Sequence, residues 1–76
     1  MDKLTDFLKE NSTKPVWFVL PGGILCGKLL FDEALGLITV IDPSFLSGGR
    51  LVPLSGVASI VRNQISGWGD GALKVN

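Results

Sequence analysis

A glycine-punctuated apolar run from Val16 to Asp42 constrains the fold of this chain more than any other feature. This run has the composition of three successive β-strands, at about residues 16–20, 24–31 and 35–41. A second block predicts two more strands, at about residues 50–54 and 57–62. Gly27 lies inside the second strand, where a glycine permits the sharp bend of a small barrel. The sequence therefore predicts a mainly β fold, a strongly bent five-stranded antiparallel open barrel.

A short helix is predicted before the first strand, at residues of about 2–11. Leu4, Phe7 and Leu8 have the i, i+3, i+4 spacing of one apolar helix face, and Asp2 is suited to cap the helix N-terminus. We expect this face to cover an open end of the barrel. The alternative is a helix that binds a partner.

The chain has the length of one domain, residues 1–76, with the barrel at about 15–63 and a tail at about 64–76. Residues 42–49 are predicted to be a loop that exposes Phe45 and Leu46. Pro53 cannot donate a ladder hydrogen bond, so its strand is expected at an edge. The tail, rich in glycine and polar residues, is expected to be partly ordered by contact.

Composition points to a partner and limits its kind. Apolar residues make up 46% and charged residues 18% of only 76 residues, more apolar surface than so short a chain hides in its own interior. Self-association is the simplest way to cover the remainder. Seven basic residues balance seven acidic ones, so the strongly basic footprint of many nucleic-acid-binding domains is absent.

The same composition argues against an enzyme, a metal, a cofactor and a membrane span. The chain has no histidine, and its lone Cys26 is expected to be a small core residue in a reducing compartment. Asp32 and Glu33 are neighbours in a turn, where a structural role is expected. Pro21 and Lys28 interrupt the apolar run, and no signal peptide is expected at the start, which favours a cytoplasmic protein.

Two tryptophans and three cationic residues each have two possible roles. Trp17 is expected in the core or at an interface, and Trp68 either pins the tail to the barrel or stacks on a base. Lys28, Arg50 and Arg62 are either solvated strand charges or a small phosphate-binding set.

The helix, glycine and aspartate pattern resembles the Sm/LSm family, a group of SH3-like barrels with a short N-terminal helix and five bent strands. The resemblance covers residues of roughly 4–62. It is carried by Leu4, Phe7, Leu8, Lys14-Pro15-Val16, Val19-Leu20, Gly22, Gly27, Leu29, Phe31-Asp32, Leu35, Leu37 and the block from Val52 to Ile60.

The chain departs from this family where the resemblance implies contact with RNA. Gly36 stands where the family has a base-binding asparagine, and Ala34 stands where it often has a stacking group. Pro53-Leu54 is matched to the family's RNA-reading Arg-Gly pair, and the stretch before Asp32 is one residue shorter than usual. Only Asp32 remains of the polar set, so binding is expected to be weak and to discriminate poorly among bases.

The resemblance implies a homo-oligomeric ring of about five to seven subunits. We expect strand four of one subunit to pair with strand five of the next, because this head-to-tail contact covers the open edges of both strands. RNA or single-stranded DNA would contact loops 32–36 and 53–56 around a central opening. The alternative is a structural module or adaptor whose ring binds protein and no nucleic acid. Candidate interface residues are Arg50, Leu51, Val52, Leu54, Ala58, Ile60 and Val61. Candidate nucleic-acid contacts are Lys28, Asp32, Gly36, Arg50, Ser55 and Arg62.

Overall fold

A computed structural model describes residues 2–73 of the chain, so the outer limits of the predicted domain and the end of the predicted tail lie outside the described residues. The first element is helix α1, Lys3–Asn11. Asp2 caps it, since its Oδ1 accepts a hydrogen bond of 2.7 Å from the backbone N–H of Thr5. Leu4 and Leu8 are buried. The predicted helix, its cap and its role as a lid on the barrel are confirmed.

Within residues 2–73, six strands and one 3₁₀ turn follow the helix. All strand pairs are antiparallel, in the order β4-β3-β2-β1-β6, with β5 also paired to β3. The predicted mainly β class and antiparallel open barrel are confirmed, and one further strand is added. The elements are β1 Pro15–Leu20, β2 Gly23–Asp32, β3 Leu37–Ser47, β4 Arg50–Pro53, β5 Val57–Ile60, the 3₁₀ turn Arg62–Gln64 and β6 Gly67–Asp70.

Neighbouring strands bend at adjacent positions in the sheet: β2, β3 and the connection between β4 and β5. In β2 the register shifts between Cys26 and Lys28, which confirms the kink predicted near Gly27. A Cβ on Gly27 would lie 2.5 Å from Val40 Cγ1 and 2.8 Å from the Ile41 carbonyl oxygen. Only glycine therefore lets β3 approach this closely.

The prediction of a loop at residues 42–49 is wrong, because β3 continues through it to Ser47. Asp42 adopts a left-handed φ of 49°, which bends the strand without ending it. Pro43 is buried, and Phe45 and Leu46 are half-buried opposite Leu25 and Ile24 of β2. A hairpin of two glycines, residues 48 and 49, then leads into β4.

The strands β4 and β5, which the sequence prediction treated as two separate edges, form the two halves of one bent edge. β4 pairs with the second half of β3 and β5 with the first half, and the bend between them lies opposite the bend in β3. Leu54 N–H donates to the Pro43 carbonyl at 2.8 Å, and Asp42 N–H donates to the Gly56 carbonyl at 3.2 Å. The edge location expected for Pro53 is confirmed, since β4 ends the sheet.

The core lies between the concave face of the sheet and α1. The buried cluster includes Leu4, Leu8, Val16, Phe18, Leu25, Leu29, Ile38 and Val40. Phe7 packs edge-on against Phe18, with ring centroids 6.2 Å apart. The convex face of β2 and β3 is only partly covered. Leu30 and Leu37 on this face are 39% and 54% exposed, because α1 closes an end of the barrel and does not lie across the outer face.

Candidate assembly edges and nucleic-acid interface

The β4–β5 segment, residues 50–61, presents an apolar edge that the rest of residues 2–73 leaves open. Its exposed side chains include Arg50, Leu51, Val52, Leu54, Val57 and Val61. Five of the eight large hydrophobic residues that are exposed in the described part of the chain belong to this segment. This concentration, next to an unpaired strand edge, is typical of a protein–protein contact.

Two predicted interface residues have a second role. Ala58 and Ile60 are half-buried and pack against the core cluster, so their side chains point into the barrel. Only their backbone groups lie on the open edge of β5. The structure thus keeps Arg50, Leu51, Val52, Leu54 and Val61 as the side chains available at this edge.

The opposite edge of the sheet is β6, which the sequence prediction placed in the tail. β6 pairs with β1, and Ser66 and Gly71 extend the ladder with N–H bonds of 2.9 Å to the carbonyls of Val19 and Pro15. Gly69 lies directly beneath the Trp17 indole, so any Cβ there would overlap the ring. The sequence signal for this strand was a tryptophan between two glycines, Gly67-Trp68-Gly69. Trp68 and Gly69 pair with the aromatic residues Phe18 and Trp17 of β1.

Trp68 pins β6 to the rest of the barrel. Its ring is half-buried against the core cluster, with its centroid 6.3 Å from that of Phe7 on α1. Of the two alternatives for this residue, the structure shows the packing role.

Three of the six predicted nucleic-acid contacts come together at one end of the barrel. Asp32 and Leu37 are paired at the start of the β2–β3 turn, and Ile38 is paired with Ile60. The paired register ends at Ile38 and Ile60, two residues from Gly36 and two residues from Arg62. Asp32, Gly36 and Arg62 therefore lie at the same end of the ladder, and we call this set the loop end.

The other three predicted contacts lie elsewhere. Arg50 is opposite Ser47 at the β3–β4 hairpin, at the far end of β3. Lys28 is on the convex face opposite Ile41, and Ser55 lies in the bend between β4 and β5. The pairing of loop 32–36 with loop 53–56 is therefore wrong. Residues 53–56 lie opposite the mid-strand bend of β3, whereas the turn at Arg62 follows the end of β5 that is nearest to the β2–β3 turn.

Arg62 is held by the N-terminus of α1. Its Nη2 donates to Asp2 Oδ1 and, at 2.6 Å, to Thr5 Oγ1. The backbone N–H of Thr5 and, more weakly, the Arg62 guanidinium hold the pKa of the Asp2 carboxyl below its usual range. A groove of about 560 Å³ opens at this contact, lined by Asp2, Lys3, Leu4, Val61, Arg62, Asn63 and Trp68.

The C-terminal half of α1 is fixed to the β2–β3 turn. Lys9 Nζ lies 3.0 Å from Glu33 Oε2, and this hydrogen bond and charge raise the pKa of Lys9. Asp32 Oδ1 accepts a 3.1 Å bond from Leu35 N–H inside the turn. The two neighbouring carboxylates thus point to different partners, which confirms the structural role expected for them.

A second groove, of about 380 Å³, lies between the β1–β2 turn and β5. Its lining is mostly apolar: Leu20, Pro21, Leu25, Ala58, Ser59, Ile60, Val61 and Gln64. It continues the uncovered surface of the β4–β5 edge.

No protein-family model matches the chain, and no curated protein matches it. Among solved structures it is similar to the Pyrococcus abyssii Sm protein in complex with a uridine heptamer, at 18% identity with a TM-score of 0.75, covering 92% of this chain and 100% of that chain. It is also similar to the P. aerophilum SmAP1 heptamer, at 16% identity with a TM-score of 0.74, covering 93% and 96%. The chain has the Sm fold. The predicted resemblance is confirmed at the level of the fold.

Residues 2–73 contain no cluster of three potential metal ligands, and no helix among them is long and apolar enough to cross a membrane. The buried Cys26 donates through Sγ to the Ser44 carbonyl at 3.6 Å, and burial raises the pKa of its thiol. A thiol with a raised pKa is a weak nucleophile at neutral pH, as expected for a packing residue.

Proposed function

We propose that this chain is an Sm-like subunit that assembles head to tail into a ring and binds single-stranded RNA at its loop end. The observation that carries the proposal is the pair of open edges at opposite ends of the sheet order, the apolar β4–β5 edge and β6. An edge with free backbone groups and exposed apolar side chains is a template for pairing with another chain. Pairing the β4–β5 edge of one subunit with β6 of the next covers both.

A contact between two different edges is heterologous, and with a fixed rotation it closes into a ring. The two Sm-fold structures similar to this chain support ring formation, since one of them is a heptamer. We expect about five to seven subunits here. The proposed strand pairing differs from the sequence prediction, because strand four now pairs with β6 of the next subunit. The proposed interface side chains remain Arg50, Leu51, Val52, Leu54 and Val61.

RNA is the proposed ligand because the similar Pyrococcus abyssii Sm protein was solved with a uridine heptamer. The loop end supplies Arg62 as a phosphate contact and Asp32 as a polar group. Gly36 and Ala34 supply neither a side-chain hydrogen bond nor a ring, so we propose low base specificity. Repetition around a ring raises the affinity of weak contacts through a high effective concentration. Lys28, Arg50 and Ser55 are proposed only as minor contacts.

A second candidate function is an assembly module that binds protein. The exposed Leu30, Leu35 and Leu37 around the β2–β3 hairpin favour it, together with the balanced charge of the chain. Neither proposal includes catalysis or a cofactor, and a cytoplasmic location remains a prediction.

Light scattering tests the ring: we expect a single species of about five to seven times 8.1 kDa. Fluorescence anisotropy with a labelled uridine oligonucleotide, a random RNA and a matched DNA tests the ligand. RNA binding should weaken steeply with salt. Arg62→Gln should weaken it severalfold, whereas the matched change Arg50→Gln should have a smaller effect. A ring that binds none of the oligonucleotides would favour the protein-binding module, and a stable monomer would refute both proposals.

A further inference from the structure

The guanidinium of Arg62 is already occupied by an anion from its own chain. Asp2 and Arg62 are 60 positions apart in sequence, yet Asp2 Oδ1 and Thr5 Oγ1 both accept from the same Nη2. The two side chains of the ion pair are 61% and 43% exposed, so the contact faces solvent and the open groove.

We propose that Asp2 is an intramolecular competitor for the RNA phosphate that binds Arg62. This proposal rests on the proposed function and adds a residue that regulates it. Carboxylate and phosphate oxygens are both anionic acceptors for a guanidinium, and they make similar charge-assisted hydrogen bonds. Both hydrogens of Nη2 are engaged, so a phosphate that binds this nitrogen displaces Asp2 Oδ1 or Thr5 Oγ1. A phosphate that binds Nη1 or Nε instead meets the charge of the adjacent Asp2 carboxylate, which also lowers its affinity.

The geometry allows this exchange without unfolding the helix. Asp2 Oδ1 also accepts the 2.7 Å bond from Thr5 N–H, and this cap remains available after Arg62 leaves. Lys3 lines the same groove, so an entering phosphate meets a second cation close to Arg62. The groove, about 560 Å³, has room for a nucleotide beside the exposed guanidinium.

The exchange is expected to change affinity without abolishing it. Exposed ion pairs are weak and screened by salt, so removing the competitor should tighten binding by about two- to fivefold per site at low salt. In the wild type, salt also weakens the competing Asp2–Arg62 ion pair, which offsets part of the loss of phosphate binding that salt causes. With Asp2 neutralised this offset is absent, so the salt dependence should become steeper, by at most about 0.7 for each such contact.

Asp2→Asn tests this directly, since asparagine caps helices about as well as aspartate but carries no charge. Asp6→Asn is the matched control, because it removes an equal charge from the first turn of α1 and leaves the contacts of Arg62 in place. Both variants are also made in the Arg62→Gln background. Thermal unfolding and light scattering of each variant verify that fold and assembly are unchanged.

We expect Asp2→Asn to bind the uridine oligonucleotide at least about twofold more tightly than Asp6→Asn, with a steeper salt slope. The difference should vanish in the Arg62→Gln background. Equal affinity and slope for the two variants would overturn the competition and leave RNA binding intact. If neither the wild type nor Asp2→Asn binds RNA while the ring persists, the competition and the RNA proposal both fail.

Discussion

The concave side of the sheet and its β4–β5 edge are built from similar residues but differ in how their apolar surface is covered. Val16, Phe18, Leu29 and Val40 are fully buried within one chain. On the edge, Val57 and Val61 are 63% and 64% exposed. Phe18 lies under α1 and between paired strands, whereas the edge has β3 on one side only. Folding of one chain buries the apolar residues of the concave face, whereas those of the β4–β5 edge remain exposed.

The largest expected effect is a loss of the fold on truncating the core. Phe18→Ala removes a buried ring that packs against Phe7, and it should cost about 3–5 kcal/mol of unfolding free energy. Total stabilities of small domains are about 5–15 kcal/mol, so most of the variant's stability would be lost. Urea denaturation checks this. Val57→Ala on the exposed edge is the control. If Val57→Ala lowered the unfolding free energy of the separated subunit as much as Phe18→Ala does, the core and the edge would not differ in their contribution to folding.

The second prediction separates assembly from folding. Val52→Asp places a charge on the exposed edge of β4, so the ring should disperse to subunits of 8.1 kDa. Val52→Thr, similar in shape and β-propensity, should keep the ring. Light scattering distinguishes the two. Ile60→Asp is a poor substitute, because Ile60 packs against the core and its loss would also unfold the subunit. A ring that survives Val52→Asp would contradict the edge as the contact.

The third prediction concerns the bend that sets the two regions apart. Gly27→Ala forces a methyl against Val40 and the Ile41 carbonyl, so it should cost about 1–3 kcal/mol through overpacking. The matched change Gly69→Ala meets the Trp17 ring and should instead loosen β6 from β1. Denaturation curves and amide exchange along β6 report the two effects. Unchanged stability of Gly27→Ala would show that the bend does not require close packing.

The smallest effect is expected at Cys26. Cys26→Ser keeps a donor for the Ser44 carbonyl and nearly the same volume, so stability should fall by less than about 1.5 kcal/mol. Assembly and oligonucleotide binding should be unchanged, as for a residue that only packs. Loss of either property in a folded variant would give the thiol a role beyond the core.

A pH titration sharpens the account of the α1 N-terminus. The native pKa of Asp2 is lowered, so its stabilising contribution is complete above the unfolded pKa of about 3.9 and is lost as the pH falls through the lower native value. Asp2→Asn should therefore flatten the acid limb of the stability curve. Identical acid limbs would show that the carboxylate contributes nothing to folding.

The sequence by itself determined the local features of this protein. Alternating and continuous apolar runs located the core strands, Gly27 marked the kink, and Asp2 with the Leu4–Leu8 spacing defined the helix. These are properties of a few consecutive residues, and the pleat and the helical turn act over the same range. Sequence also identified Asp32 and Arg62 as residues of interest, but not which of the six candidates would meet.

Only the tertiary structure decided the long-range features. Asp42 looked like the start of a loop, yet its left-handed φ and the burial of Pro43 carry β3 onward. β6 had too few apolar residues to signal a strand, and it exists because β1 offers an open edge and Trp17 covers Gly69. The contact of Arg62 with Asp2 joins residues that are 60 positions apart in the sequence. Pairing and contact across such distances depend on which edges remain unpaired after the core has formed, and no local pattern encodes that.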